Sequence, residues 1–187
     1  MKNAIIIHGM PSREEFESST VSPANSHWIP WIKNNLIKNG INAISLDMPE
    51  PYAPVYEKWE QELESCSINE ETVLIGHSCG AGFLVRWFSE NNIKVGKVFL
   101  VAPWLDPEKY LKTGMFDFNL DKNLADKTNG VTVIYSTDDD DYILDTIQIL
   151  KTQTSGINFI EHKDKGHFCT EDLGGEEFPE LLELILK

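Results

Sequence analysis

The chain has 187 residues, 41% hydrophobic and 25% charged, an ordinary composition for one folded domain (expected to span 1–187) and unlike that of a disordered chain. With 16 Lys plus Arg against 30 Asp plus Glu, the formal net charge is −14, and no basic cluster exists to draw a phosphate backbone or an anionic membrane surface. No apolar run approaches the roughly 20 residues that span a bilayer, the first eight residues are too short for a signal h-region, and cytoplasmic residence is the expectation.

β-rich apolar runs are predicted at 4–7, 43–46, 72–75, 97–101, 131–135 and 157–160. Helical stripes separate most of them: Trp28, Ile29, Ile32, Leu36 and Ile37; then Tyr56, Trp59, Leu63 and Cys66; then Ala81, Leu84, Val85 and Phe88; then Ile143, Ile147 and Leu150. A fifth stripe, Phe178, Leu181, Leu182, Ile185 and Leu186, closes the chain. Continuously apolar strands alternating with helices indicate an α/β fold, a doubly wound, mostly parallel sheet covered on both faces. In such a sheet ligands bind beyond the strand C-termini, where the winding reverses. The connections 10–27 and 103–130 are long, weakly periodic, and placed at strand ends, where a lid or a substrate wall would lie.

Gly76-His77-Ser78-Cys79-Gly80 follows the third predicted strand and opens the Ala81 helix. A G-x-S-x-G turn in this context forces the central serine into strained geometry, with glycines where a Cβ would collide across the turn. The Cys79 N–H, at the helix start, is then placed to stabilise an oxyanion. Serine needs a base and the base needs an orienting carboxylate. His167, in Gly166-His167-Phe168 beyond the last strand, is the candidate base; His8, His27, His77 and His162 are expected to be structural. The acid is expected after strand 131–135, in the run Asp138 to Asp141; Asp139 fits a strand-end position best, followed by Asp140 and Asp138.

Other chemistries are poorly supported. Cys66, Cys79 and Cys169 form no C-x-x-C pair, and the Cys79 side chain is expected to turn into the helix packing, away from any nucleophilic role. The four adjacent acids lack calcium-loop spacing, no metal or other cofactor is implied, and Gly80-x-Gly82 lacks the third glycine of a dinucleotide loop. Trp104, Met115, Phe116, Phe118 and Phe168 are candidates for an apolar acyl pocket or for core, and Arg13 for a substrate carboxylate.

His8-Gly9, His27-Trp28-Ile29-Pro30-Trp31, Gly-His-Ser-Cys-Gly-Ala, Ser-Thr-Asp-Asp and Gly-His-Phe together resemble small α/β-hydrolases, and more narrowly the serine hydrolase family that includes retinoblastoma-binding protein 9 and YdeN. The similar pieces span residues 4–168. The resemblance implies a minimal six-stranded α/β-hydrolase with no large cap domain and with its first strand beside the Ser78 strand. It assigns the triad acid to the second acid of Ser-Thr-Asp-Asp, Asp139, although Asp140 and Asp141 stand where the family tends to a proline and an apolar residue. It also makes the Met10 N–H the second oxyanion donor. The expected activity is hydrolysis of a small carboxylic ester, amide or thioester through an acyl-enzyme on Ser78. The substrate is a small molecule, with neither nucleic acid nor membrane as partner. The alternative is a non-catalytic interaction module that keeps the fold.

Overall fold

A computed structural model describes residues 2–187. Six parallel strands form one sheet in the order β2-β1-β3-β4-β5-β6: β1 Asn3–Ile7, β2 Asn42–Leu46, β3 Val73–His77, β4 Val98–Val101, β5 Val131–Ser136 and β6 Ile157–His162. The chain winds outward from β1 to β2, returns past β1 to β3, and then continues to β6. The reversal therefore falls between β1 and β3. Their register, Ile7 opposite Gly76, brings the segments after both strands out side by side at one rim.

Central strands are apolar because helices cover both of their faces. Every residue of β3 and β4 is buried, as are Ala4 to Ile7 of β1. The edge strands differ from the continuous burial expected of them. β2 and β6 each have one hydrogen-bonding neighbour and partly open faces, and Ile44 is 40% exposed.

Helices α2 Ile29–Lys38, α3 Tyr56–Glu64, α4 Cys79–Glu90, α5 Asp141–Gln153 and α7 Pro179–Leu186 follow the predicted stripes, while the short helices α1 Arg13–Ser18 and α6 Thr170–Leu173 match none of them. Ile37 and Leu186 turn outward because each sits one residue, about 100° of helix, beyond a buried leucine or isoleucine. Cys66 lies past the end of α3. Helix α4 runs along the centre of the fold and is buried on all sides from Cys79 to Phe88.

The two long connections are more ordered than their sequence suggested. Segment 10–27 contains the exposed helix α1 Arg13–Ser18, started by a capping box in which Ser12 and Glu15 satisfy each other's amides, and a 3₁₀ turn Pro23–Asn25. Segment 103–130 is fastened to α4 by Arg86, which is 8% exposed. The Arg86 guanidinium donates to the carbonyls of Gly114 (2.6 Å) and Met115 (2.9 Å), lies 3.8 Å from the Tyr56 ring centroid, and pairs with Glu90. Arg86→Ala leaves those carbonyls without donors and is expected to destabilise the fold by about 3 kcal/mol, read as a lower urea midpoint.

Candidate active site

Ser78 joins β3 to α4 at φ 53°, ψ −118°, an unfavourable conformation for a residue with a Cβ. Its backbone is held from both sides. The Ser78 N–H donates to Val101 O (2.9 Å), and its carbonyl accepts from Gly82 N–H (3.0 Å) and Trp104 N–H (3.2 Å). Glycine is required around it. A Cβ on Gly76 would lie 2.6 Å from Ala81 Cα, and one on Gly80 would lie 2.4 Å from His8 O. Gly82, in the sequence only part of an incomplete nucleotide loop, is tighter still: a Cβ there would stand 1.8 Å from Trp104 O. The small residues at 80 and 82 let the segments after β1 and β4 press against the start of α4.

His167 stands on the loop after β6, with φ 43° at Gly166 and 60° at Phe168. Its backbone is clamped at both ends: the N–H donates to Asp172 Oδ2 (3.0 Å), and the carbonyl accepts from His77 Nε2 (2.8 Å). The ring Nδ1 lies 3.0 Å from both carboxylate oxygens of Asp139. The Asp139 side chain is 1% exposed and the His167 side chain 27%. Of the acids 138–141, Asp139 is the one that meets the ring, although Asp140 and Asp141 depart from the proline and apolar residue of the family pattern.

The other acids of the run have separate tasks. Asp138 accepts from the Ser136 hydroxyl and from Gly166 N–H (3.1 Å), tying the loop after β5 to the His167 loop; the Ser136 hydrogen bond chiefly holds its carboxyl below the usual range. Asp140 accepts from the Tyr142 hydroxyl (2.6 Å), and Asp141 is the first residue of α5, where the helix dipole favours an anion.

Two of the remaining histidines, His77 and His8, form a buried support. His77 is 3% exposed, and its ring centroid is 5.0 Å from that of His167; burial pushes its pKa well below the ordinary value. His8 is equally enclosed: Nε2 accepts from Met48 N–H (3.1 Å), so Nδ1 carries the proton and donates to Gly9 O (2.6 Å), with its pKa lowered chiefly by burial. That bond fixes the peptide plane between Gly9 and Met10. The position a Gly9 Cβ would occupy is 3.2 Å from Ser78 Cβ, so this peptide passes directly over the elbow. Among the described residues, neither Met10 N–H nor Cys79 N–H is engaged in a hydrogen bond within the chain.

Ser78, His167 and Met10 line two neighbouring cavities, of about 590 and 360 Å³. Among the described residues no hydrogen bond joins Ser78 Oγ to the His167 ring; such pairs commonly close to bonding distance only around substrate. The smaller cavity adds Trp104, Tyr110, Tyr142, Asp106 and Glu108. Trp104 is thus where a pocket residue was expected, whereas two other predicted pocket residues are corrected. Phe168 is fully buried, turned into the core by its positive φ and stacked on Phe178 (centroids 5.4 Å apart). Phe116 packs edge-on against Trp104 (5.6 Å) and borders a separate cavity without Ser78. Met115 is core, Phe118 faces Arg86, and Arg13 is paired with Glu17 on the surface of α1. Cys79 is buried and its thiol pKa strongly raised by that burial; Cys169 borders the larger cavity with its thiol pushed up to about 12. Tyr110 and Tyr142 were missed in the sequence, since nothing local to either residue marks a strand-end wall.

No helix among the described residues is long and apolar enough to cross a membrane. A family profile described as "Serine hydrolase" matches residues 18–187. YdeN of Bacillus subtilis strain 168, described as a hydrolase, is 28% identical over 194 residues, covering 98% of this chain and 94% of YdeN. The crystal structure of the B. subtilis ydeN product superimposes with a TM-score of 0.79 at 25% identity, covering 100% of this chain and 97% of that one. Est1E from Butyrivibrio proteoclasticus shares the fold, with a TM-score of 0.65 at 14% identity over 98% of this chain and 85% of Est1E. The chain belongs to the serine hydrolase family and has the α/β-hydrolase fold without a large cap domain.

Proposed function

We propose that the protein hydrolyses a small carboxylic ester, amide or thioester by way of an acyl-enzyme on Ser78. Ser78 Oγ attacks the carbonyl carbon while His167 Nε2 takes the hydroxyl proton, and the new oxyanion accepts from Cys79 N–H and Met10 N–H. Collapse of the tetrahedral adduct breaks the bond to the leaving group, which takes the proton from His167. A water molecule, deprotonated in turn by His167, then releases the acid and restores Ser78. Asp139 keeps the proton on Nδ1 and stabilises the imidazolium formed twice per cycle.

The observation that carries this reading is the buried carboxylate of Asp139 at 3.0 Å from His167 Nδ1, in a site whose cavities also reach the strained Ser78. A carboxylate so enclosed needs a donor, and the imidazole N–H supplies it, leaving Nε2 as the free base.

A fluorophosphonate probe tests the nucleophile directly. Wild type is expected to gain the mass of one probe on the tryptic peptide containing Ser78, and Ser78→Ala to gain none. Labelling that persists in Ser78→Ala, or an inert wild type, overturns the assignment.

A further inference from the structure

At the wall of the larger cavity beside Ser78 stands a residue with an unused hydrogen-bond donor. His27 borders it at the end of the 10–27 connection, with φ 54°. Its Nδ1 accepts from Thr170 N–H (3.2 Å) and lies 3.2 Å from Thr170 Oγ1. A ring nitrogen that accepts from an amide cannot carry a proton, so the neutral ring is locked as the Nε2–H tautomer. Among the described residues, that Nε2–H donates to nothing. Burial lowers the pKa of His27, which favours the neutral ring.

The charge around the donor narrows what it can bind. Neither Lys nor Arg lines either cavity among the described residues, while Glu15 and Glu171 line the larger and Asp106 and Glu108 the smaller. A substrate carboxylate or phosphate would meet negative charge from both sides with no cation to offset it. An uncharged acceptor oxygen has no such penalty and meets a pre-oriented N–H.

We infer that His27 is a substrate-binding residue, its Nε2–H donating to an uncharged acceptor oxygen on the substrate portion lodged in the larger cavity, and that the substrates carry no anionic group. The inference rests on Ser78 being the nucleophile beside that cavity.

Two substitutions separate the donor from the fold. His27→Asn places Oδ1 near the position of Nδ1, keeps an acceptor for Thr170 N–H, tolerates the positive φ, and removes the Nε2–H. His27→Gln returns a donor at about the reach of Nε2. Matched esters read the effect for either half of the substrate: p-nitrophenyl 3-methoxypropanoate against p-nitrophenyl pentanoate, and 2-methoxyethyl acetate against butyl acetate. Each pair differs by one ether oxygen in place of a methylene.

In one pair wild type is expected to favour the ether, and His27→Asn to cut the ether-to-alkyl ratio of kcat/KM by about five- to tenfold, the loss of one neutral hydrogen bond. His27→Gln is expected to recover part of that ratio. The carboxylate-ended p-nitrophenyl hemiglutarate is expected to turn over at least about tenfold more slowly than the pentanoate. An unchanged ratio in both pairs, whether their members fall in parallel or not at all, overturns the role of His27. Equal turnover of the hemiglutarate overturns the substrate class. If no ester is hydrolysed and Ser78 takes up no fluorophosphonate, the nucleophile assignment falls instead, and calorimetric affinities of the same ester pairs for Ser78→Ala with and without His27→Asn still read the donor.

Discussion

With a short acyl nitrophenyl ester as substrate, Ser78→Ala is expected to lose on the order of 10⁴- to 10⁶-fold in kcat, Asp139→Asn about 10⁴-fold, and Asp138→Asn less than about tenfold. The large difference between neighbouring aspartates follows from what each carboxylate accepts. Asp139 Oδ1 already takes the Asp140 N–H at 2.8 Å. An asparagine here keeps its carbonyl on that amide and turns its NH₂ toward His167, so Nδ1 must become the acceptor and the ring proton moves to Nε2. The imidazole then faces Ser78 with a hydrogen where it needs a lone pair. Asp138 accepts a hydroxyl and an amide, Ser136 and Gly166, and an asparagine carbonyl accepts both equally well. Rates measured on the three variants decide the assignment: an Asp138→Asn enzyme as impaired as Asp139→Asn would move the acid one residue earlier.

What the sequence made legible was what strand topology alone determines. The elbow, the acid and the base each sit a few residues beyond the apolar run of a strand, the central β3, the penultimate β5 and the edge strand β6, and a parallel sheet sends all such ends to one rim. Asp139 could be ranked first among four acids by its distance from the end of β5. Phe168 could not be placed, because its exposure depends on a positive φ that reverses the direction of its side chain, and nothing in Gly-His-Phe announces that backbone turn. His77 and Asp172 were equally hidden. Their partners are the two ends of one residue's backbone, His167, 90 positions away in one case and 5 in the other, and backbone donors and acceptors leave no mark in the side-chain pattern. The order within 10–27 was half visible. Ser12 and Glu15 have capping-box spacing, but every residue of α1 is exposed, so no apolar stripe marked a helix.

The same buried histidines make the fold sensitive to mild acid. The folded-state pKa values of His8 and His77 are lowered, so between pH 7.5 and 5.5 the unfolded chain takes up protons on these rings while the folded chain resists doing so. The state that binds more protons gains as pH falls, and stability therefore declines as pH drops through about 6.5, the ordinary imidazole value. Each fully resistant ring contributes about 1.4 kcal/mol over that interval, so the two together account for a loss of up to about 3 kcal/mol. Ordinary carboxylates titrate nearer 4, which leaves histidine as the main variable in this window. The expected result is a urea midpoint at pH 5.5 well below that at pH 7.5, with part of the difference removed in His8→Gln/His77→Gln, where neither position titrates, and the rest carried by His27 and His162, whose pKa values burial also lowers. Protonation of His77 would set a positive charge beside the His167 ring, whose centroid lies 5.0 Å away. Acid is thus expected to weaken the mounting of the base along with the fold, and a midpoint independent of pH across this interval would rule out both neutral rings.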